Sequence, residues 1–139
     1  MSKQCLDAHQ MQHLQELGLD TSNASICWIK DTEGNQHLSV YDEYCYEASF
    51  MNPIPAYTLQ DVLDALPKEI SKDGCTWYAS LYIDFENNRI AYGNTDRYGF
   101  EIYHEIMIEK DLIDAAYSML CWAIENKFVE MNKRKYENN

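Results

Sequence analysis

The most apolar part of the chain is the segment from Leu112 to Val129, near the C-terminus. Placed on a helix at about 100° per residue, it leaves one narrow polar lane, formed by Asp114, Ser118 and Glu125. A helix at a protein surface needs one apolar stripe, but this helix needs cover around most of its circumference. The pattern therefore predicts a central helix of the fold, with Asp111 in position to cap its first turn.

The apolar circumference of this final helix also bears on assembly. The other helices that the pattern predicts are short, so they leave one flank of the final helix without cover. We therefore expect the chain to form a homo-oligomer in which that flank contacts a second copy. The candidate contact residues are Met119 and Trp122 on one flank, or Ile124 and Phe128 on the other.

Two segments alternate apolar and polar residues, which is typical of strands with one buried face. They are residues 77–85 and 100–108, and a shorter strand at 89–92 lies between them. Short turns join these strands, which predicts an antiparallel meander. The residues expected to face inward are Trp77, Ala79, Leu81, Ile83, Phe85, Phe100, Ile102, His104, Ile106 and Ile108. The opposite face carries Tyr78, Ser80, Tyr82, Asp84, Glu101, Tyr103 and Glu105.

The first third of the chain predicts one helix and a hairpin. The helix covers residues 6–17, and Gly18 stands at its stop position. Strands follow at 24–30 and 37–42. The link between them, Asp31–Asn35, ends in Gly-Asn, and both residue types tolerate the positive φ that a tight hairpin requires.

The middle of the chain is shaped by proline. Residues 43–57 predict an irregular stretch, because two prolines interrupt any helix and discourage an interior strand. Thr58 can then cap a helix, with Asp61 in the third position after it, and Pro67 ends this helix.

Together these elements predict the order α-β-β-α-β-β-β-α, an α+β fold. We expect one antiparallel sheet of about five strands packed against the apolar C-terminal helix. The length, 139 residues, fits a single domain over residues 1–139. The polar tail at 132–139 is expected to be frayed.

Composition and charge exclude several classes of protein. The net charge of −12 would repel a phosphate backbone, so we expect no direct nucleic-acid binding. No apolar run is long enough to span a membrane and the N-terminus lacks a secretory signal, so a cytoplasmic protein with no membrane contact is expected. The acidity would attract a basic partner or serve solubility alone.

The cysteines support a reducing compartment. Their number is odd, they lie far apart, and no CxxC pair occurs, so neither a disulfide framework nor a zinc framework is predicted. We expect free and mostly buried thiols. The cysteines are Cys5, Cys27, Cys45, Cys75 and Cys121.

Two patterns could in principle hold a metal near a helix. Cys5, His9 and His13 would stack on one helical face, but a fourth ligand is missing, and a solvated helix explains them better. Glu125 and Lys127 match the ExK element of one nuclease class, but they lie on a helix where that class uses a strand. We therefore predict no metal site at either place.

The acids of the predicted strands are the remaining catalytic candidates. Asp84, Glu86, Glu101 and Glu105 could bind a divalent metal or act in acid–base chemistry. The alternation, however, puts the strand acids on the face opposite the predicted core, which is where an ordinary sheet carries its solvated charges. His104 is expected to be a hydrogen-bonded core residue. The chain also lacks glycine-rich phosphate loops, a nucleophile elbow and an HExxH motif, so no catalytic residue and no cofactor is predicted.

A tyrosine-rich acidic segment is the best candidate for binding a partner. Tyrosine is enriched at protein interfaces, and acids around it would steer a basic partner. An edge strand whose charges prevent aggregation would show the same composition, so both interpretations stay open. The residues are Tyr41, Asp42, Glu43, Tyr44, Tyr46 and Glu47.

Three stretches carry a resemblance to known sequences: Leu17–Lys30 (LGLDTSNASICWIK), Pro55–Ile70 (PAYTLQDVLDALPKEI) and Leu112–Asn126 (LIDAAYSMLCWAIEN). Over residues 9–128, the chain resembles small uncharacterised proteins of gut Bacteroidales and of their phages or integrated elements. The resemblance implies a mobile-element setting. It brings no activity and no site residue to any position of this chain.

The leading functional hypothesis is a non-enzymatic accessory protein that works through protein contacts, with a protein partner or with itself. One alternative is a phage-type inhibitor that presents acids to a host protein as a nucleic-acid mimic. The other is a small metal-dependent hydrolase that uses the strand carboxylates.

Overall fold

The computed structural model describes residues 3–41, 52–71 and 78–129. They form an α+β structure, as the sequence predicts. The helices are α1 (Ala8–Glu16), α2 (Leu59–Ala65) and α3 (Leu112–Glu125). The strands are β1 (Ile26–Lys30), β2 (Gln36–Val40), β3 (Ile54–Ala56), β4 (Glu69–Ser71), β5 (Tyr78–Asp84), β6 (Arg89–Thr95) and β7 (Glu101–Ile108). Within these ranges, no helix has the length and apolar character needed to cross a membrane.

The chain divides into two compact units, Lys3–Asp61 and Val62–Glu130, and the boundary falls within α2. The first unit contains α1 and the N-terminal sheet, whose strand order is β2-β1-β3. The second unit contains the C-terminal sheet, ordered β4-β5-β6-β7, and α3. That residues 1–139 behave as one domain stays a prediction, and the tail at 132–139 lies outside the described residues.

The prediction of one sheet with about five strands is wrong, because the described strands form two antiparallel sheets. Two strands were missed, β3 and β4, and each has only three residues, too few to show an alternating pattern. β3 contains Pro55, in the stretch predicted to be irregular. It lies at the edge of its sheet, where a residue without an N–H group is tolerated.

Helix α1 is held by caps at both ends. The sequence predicts the stop at Gly18 but not the cap at Asp7, since the helix begins at Ala8 and not at residue 6. The Asp7 carboxylate accepts the Gln10 N–H at 2.8 Å, and the Gln10 side chain accepts the Asp7 N–H in return. At the other end Gly18 has φ +98°, and the Leu19 N–H reaches back to the Leu14 carbonyl at 3.1 Å. This is a Schellman ending, and glycine adopts its left-handed residue without strain.

Tyr57 is the largest buried side chain of the first unit. It follows β3, and its hydroxyl donates to the Asn23 side chain at 2.5 Å. Burial raises the pKa of Tyr57 to about 12, with a smaller contribution from Asp61. The phenol therefore stays neutral and serves as a hydrogen-bond donor inside the unit.

The start of α2 confirms the predicted cap and adds a partner distant in sequence. The Thr58 hydroxyl accepts the Asp61 N–H at 3.2 Å, and the Asp61 carboxylate accepts the Thr58 N–H at 3.0 Å. The same carboxylate accepts the Ser25 hydroxyl at 2.6 Å and the Ser25 N–H at 3.0 Å. Asp61 is only 9% exposed, and it links α2 to the segment just before β1.

The charge state of Asp61 follows from these bonds. Burial alone would raise the pKa of this carboxyl, but hydrogen bonds from Ser25 and Thr58 outweigh burial and lower the pKa. The group is therefore ionised at neutral pH, and it is a structural carboxylate rather than an acid poised for proton transfer.

In the second unit, α3 packs against β6 and β7, as predicted for the C-terminal helix. The Tyr92 ring of β6 lies 6.1 Å from the Trp122 ring of α3, measured between centroids. The buried Tyr92 hydroxyl donates to the Pro67 carbonyl at 2.6 Å, and burial raises the pKa of Tyr92. Tyr92 thus marks the helix side of the C-terminal sheet.

A β-bulge reverses the alternation along β7. The pairing slips between Tyr92 and Gly93, which leaves His104 as an extra residue in β7. Beyond the bulge, Glu105 lies on the helix side of the sheet and Ile106 on the opposite side. The sequence pattern does not predict this slip, because the alternation of apolar and polar residues continues unbroken through the bulged residue.

The predicted inward residues of β7 are therefore wrong in part. Ile106 and Ile108 face away from α3, and Ile108 is 64% exposed. His104 is exposed and is not a core histidine, because it occupies the bulge. Phe100 precedes the strand, in the turn, and is exposed as well.

The pattern in β5 holds along the strand and fails at its end. Ala79 is fully buried, as expected. Phe85 is exposed because β5 ends at Asp84, and Phe85 belongs to the turn that follows. Trp77 lies outside the described residues.

Cysteines in the described part of the chain are free, as predicted. Cys5 and Cys27 are buried, and Cys121 is half-buried. Burial raises the pKa of the Cys5 and Cys121 thiols. These thiols are therefore protonated and unreactive near neutral pH. Cys45 and Cys75 lie outside the described residues.

Helix α3 begins and ends differently from its sequence expectation. Asp111 occupies the cap position but makes no side-chain capping hydrogen bond. At the C-terminus, the Phe128 N–H donates to the Ala123 carbonyl at 2.8 Å and the Lys127 N–H to the Ile124 carbonyl at 3.0 Å. This is a second Schellman ending, but here Lys127 takes the left-handed conformation, with φ +64°.

Replacing Lys127 with glycine is expected to raise the free energy of unfolding by about 1 kcal/mol, because glycine adopts φ +64° without the steric cost of a Cβ atom. Urea unfolding measures the change. Lys127→Ala is the matched control, since it removes the same charge and keeps the Cβ atom. Equal stability of the two variants would contradict the account.

Candidate functional site

The C-terminal sheet has a second face that looks away from α3. Tyr92 contacts α3, so the residues that alternate with it on β6 point the other way, and their partners in register share that face. We call this surface the outer face. Its members are Glu69, Ser71, Tyr78, Ser80, Tyr82, Asp84, Arg89, Ala91, Gly93, Thr95, Glu101, Tyr103, Ile106 and Ile108.

Tyrosine rings dominate the outer face. Tyr82 and Tyr103 meet edge to face, with ring centroids 6.4 Å apart and planes at 88°. Tyr82 is 39% exposed and Tyr78 is 59% exposed. The outer face therefore offers solvent large rings whose positions are fixed by a regular sheet.

Gly93 lies directly beneath the Tyr103 ring. A Cβ atom at Gly93 would lie 2.5 Å from the Ile102 carbonyl oxygen and 2.8 Å from Cδ1 of Tyr103. The absence of a side chain thus lets β7 approach closely at the bulge and lets the Tyr103 ring lie across β6. The ring position is a consequence of this backbone approach.

The charges of the outer face are arranged around Tyr103. The Arg89 guanidinium lies 5.8 Å from the Tyr103 ring centroid and 3.1 Å from the Asp84 carboxylate. The Tyr103 hydroxyl donates to the Glu101 carboxylate, and this bond raises the pKa of Tyr103. One cation is therefore already held between an acid and an aromatic ring.

The remaining charge of the outer face is negative. Arg89 and Asp84 offset each other, while Glu69 and Glu101 are exposed carboxylates on the same face. A surface with tyrosine rings and exposed carboxylates is suited to lysine and arginine side chains, which bind both groups.

The predicted partner-binding segment can be judged at one residue only. Tyr41 is half-buried, and its N–H donates to the Ser25 carbonyl at 3.2 Å, in continuation of the N-terminal sheet. The remaining residues of that prediction lie outside the described residues: Asp42, Glu43, Tyr44, Tyr46 and Glu47. Their role in binding stays a prediction.

The predicted oligomer contacts divide into two pairs. Met119 is fully buried and Ile124 is 8% exposed within the single chain, so neither offers a surface. Trp122 and Phe128 are half-buried, with ring centroids 5.4 Å apart. Contact of a second chain with this ring pair stays a prediction, which the mass in solution would test.

The proposed stack of Cys5, His9 and His13 does not form on one helix. Asp7 caps α1, so Cys5 precedes the helix and forms a bridge with Thr58. His9 is exposed. Among the described residues, no group of three or more histidine, cysteine, aspartate or glutamate side chains could hold a metal ion.

The strand acids are also dispersed. Asp84 bonds to Asn87 and Arg89 at one end of the sheet. Glu101 lies near the other end of the sheet, since it pairs with Thr95. Glu86 is in the β5–β6 turn, and the bulge turns Glu105 to the helix side. Glu125 is the last residue of α3, as expected, but Lys127 follows the C-cap Asn126 and lies outside the helix on which it was predicted.

No protein-family model, no curated protein and no solved structure matches this chain.

The sequence predicts the outer face only as one side of the alternation in two strands. The alternation places Tyr78, Tyr82 and Tyr103 on the side opposite the core, as the structure does, but it does not distinguish them from the acids on the same side. Three tyrosines on the solvent side of two strands are the signal that could have identified this face, since solvated positions do not require large rings.

Proposed function

We propose that this protein is a non-enzymatic interaction module of the cytoplasm that binds a basic region of a partner protein through the outer face. The observation that carries the proposal is the pair of exposed rings, Tyr78 and Tyr82, on the side of the sheet away from α3. The resemblance to proteins of Bacteroidales mobile elements supports an accessory role.

Tyrosine on a rigid sheet favours a protein partner. The ring buries a large area at a low cost in conformational entropy, and its hydroxyl serves a polar rim. On the outer face Tyr103 and Arg89 are already fixed by neighbours, so little further ordering is needed when a partner binds.

Charge selects the kind of partner. With a net charge of −12, two copies of this chain repel each other, and nucleic acid is repelled as well. Glu69 and Glu101 on the outer face extend this acidity to the site itself. A partner rich in lysine and arginine is therefore favoured over self-association at this face.

The two alternative functions receive less support. A nucleic-acid mimic needs a contiguous row of acids, whereas the outer face interleaves its carboxylates with tyrosine and serine. A hydrolase needs its carboxylates together, and the register of the sheet separates them.

The proposal is tested by affinity capture from a cytoplasmic extract of a Bacteroidales bacterium, with proteins identified by mass spectrometry. We expect wild type to retain a basic protein in a salt-sensitive way, and Tyr78→Ala/Tyr82→Ala to lose it. Val40→Ala is the control, because Val40 is 62% exposed but lies on β2 of the N-terminal sheet. Equal retention by the double variant would contradict the proposal.

A further inference from the structure

The turn between β6 and β7 is a rigid tip. Asp96 donates its N–H to the Phe100 carbonyl at 2.9 Å and accepts the Gly99 N–H on its own carbonyl at 3.0 Å. Its carboxylate accepts the N–H groups of Tyr98 and Phe100 at 2.8 and 2.9 Å. Gly99 completes the turn with φ +87°. We call residues 96–100 the hairpin tip.

The turn between β1 and β2 has the same construction. The Asp31 N–H donates to the Asn35 carbonyl at 3.0 Å, and the Gly34 N–H donates to the Asp31 carbonyl at 3.0 Å. The Asp31 carboxylate accepts the N–H groups of Glu33 and Asn35, both at 2.9 Å. Gly34 has φ +88°. The pattern Asp-x-x-Gly-x thus builds both turns with the same hydrogen bonds.

This second turn is an internal control for the hairpin tip. Position by position, Glu33 corresponds to Tyr98 and Asn35 to Phe100. The backbone is made by aspartate and glycine in both turns, so it does not require rings at these positions. Nevertheless Tyr98 is 72% exposed and Phe100 is 70% exposed. Among the residues that the structure describes, neither the hydrogen bonds of the turn nor packing in the core accounts for these two aromatic residues.

The hairpin tip also carries an arginine, Arg97, beside its two aromatic residues. Its guanidinium lies 5.2 Å from the centroid of the Tyr98 ring. Tyrosine and arginine are the residue types that dominate binding energy at protein interfaces, and phenylalanine is enriched there. Because the backbone of the tip is hydrogen-bonded in place, binding would cost little ordering.

We propose that the hairpin tip is an anchor that inserts Tyr98 and Phe100 into an apolar pocket of a partner protein. The pocket would supply a hydrogen-bond acceptor for the tyrosine hydroxyl and acceptors at its rim for Arg97. A lipid surface does not fit, since the net charge of −12 opposes approach to anionic headgroups. The inference rests on the tip alone and does not depend on the outer face.

A phage-displayed library of random peptides is the probe that tests this assignment. Peptides selected on the full wild-type chain are expected to bind Tyr98→Ala/Phe100→Ala at least ~10-fold more weakly, as for loss of two anchor residues. The same peptides are expected to bind Glu33→Ala/Asn35→Ala as they bind wild type. Both variants keep the aspartate and glycine of their turns.

Three results would overturn the assignment: no enrichment of peptides, equal binding to the tip variant, or equal loss in both variants. Binding of the selected peptides to Tyr78→Ala/Tyr82→Ala separates this inference from the function of the outer face. Loss in that variant with retention in the tip variant would support the outer face and contradict the tip.

Discussion

Replacing Asp61 with alanine is expected to lower the free energy of unfolding by about 3 kcal/mol, the largest effect that we predict for a single side chain. The change removes the carboxylate half of the capping box of α2 and leaves the Ser25 and Thr58 N–H groups without the acceptor that they have in the wild type. Chemical denaturation followed by circular dichroism measures the loss. Asp64→Ala is the control, since Asp64 is an exposed acid of the same helix.

The pH dependence of this effect separates charge from packing. The pKa of Asp61 is lower in the folded chain than its ordinary value of 3.8, so its stabilisation is complete above that value and is lost as the pH falls through the folded pKa. Asp61→Asn keeps one acceptor and never ionises. The stability gap between wild type and Asp61→Asn should be widest at neutral pH and should shrink in acid. A gap that is constant with pH would contradict the account.

Replacing Gly93 with alanine is expected to lower the free energy of unfolding by about 2 to 3 kcal/mol, because the new methyl group would overlap the backbone of the adjacent strand. The Cβ atom would lie 2.5 Å from the Ile102 carbonyl oxygen, a backbone atom that cannot rotate away. The strands must separate at the bulge, and the Tyr103 ring must move with them. Thermal and urea unfolding measure the cost.

Gly99→Ala is the matched control for Gly93→Ala. Among the described residues, no heavy atom beyond Gly99 and its two chain neighbours lies within 4 Å of a Cβ atom at Gly99, so only the φ of +87° opposes the substitution. We expect a cost of about 1 kcal/mol there, from backbone conformation rather than crowding. If Gly99→Ala were the more damaging change, the assigned close approach at Gly93 would be wrong.

Local rules were sufficient for much of the fold. Gly18 ends α1, the Gly-Asn pair closes the first hairpin turn, and Thr58 caps α2 with Asp61, all within a few residues of chain. The alternation of β5 and the apolar character of α3 were also readable, because each has enough residues to show its period.

Features that depend on contacts between distant parts of the chain could not be predicted from the sequence. Three-residue strands such as β3 and β4 show no period, so the number of sheets could not be derived. The bulge at His104 arises from a shift in the pairing register between β6 and β7. A register shift depends on both strands, so the sequence of one strand does not predict it. The bond from Ser25 to Asp61 joins residues 36 positions apart. The sequence pattern predicts local geometry, but it does not predict which distant segments pair with each other.

The outer face was partly predictable for the same reason. The sequence placed Tyr78, Tyr82 and Tyr103 on the solvent side, but it could not show that Tyr103 covers Gly93 or that Arg89 lies over its ring. Those contacts cross strands, and they turn scattered tyrosines into one ordered surface. The hairpin tip stands out only through comparison with the equivalent turn at Asp31, whose hydrogen bonds are visible in the structure alone.

The most direct test of the outer face is a titration of isotope-labelled protein with a short arginine-rich peptide, followed by NMR. We predict that amide shifts concentrate on β5, β6 and β7 at outer-face residues. Tyr78→Ala/Tyr82→Ala should weaken binding by about 5- to 30-fold, the loss of two cation–π contacts. A glutamate-rich peptide of equal length should leave the spectrum unchanged. Shifts located on the N-terminal sheet, or equal affinity of the double variant, would contradict the account.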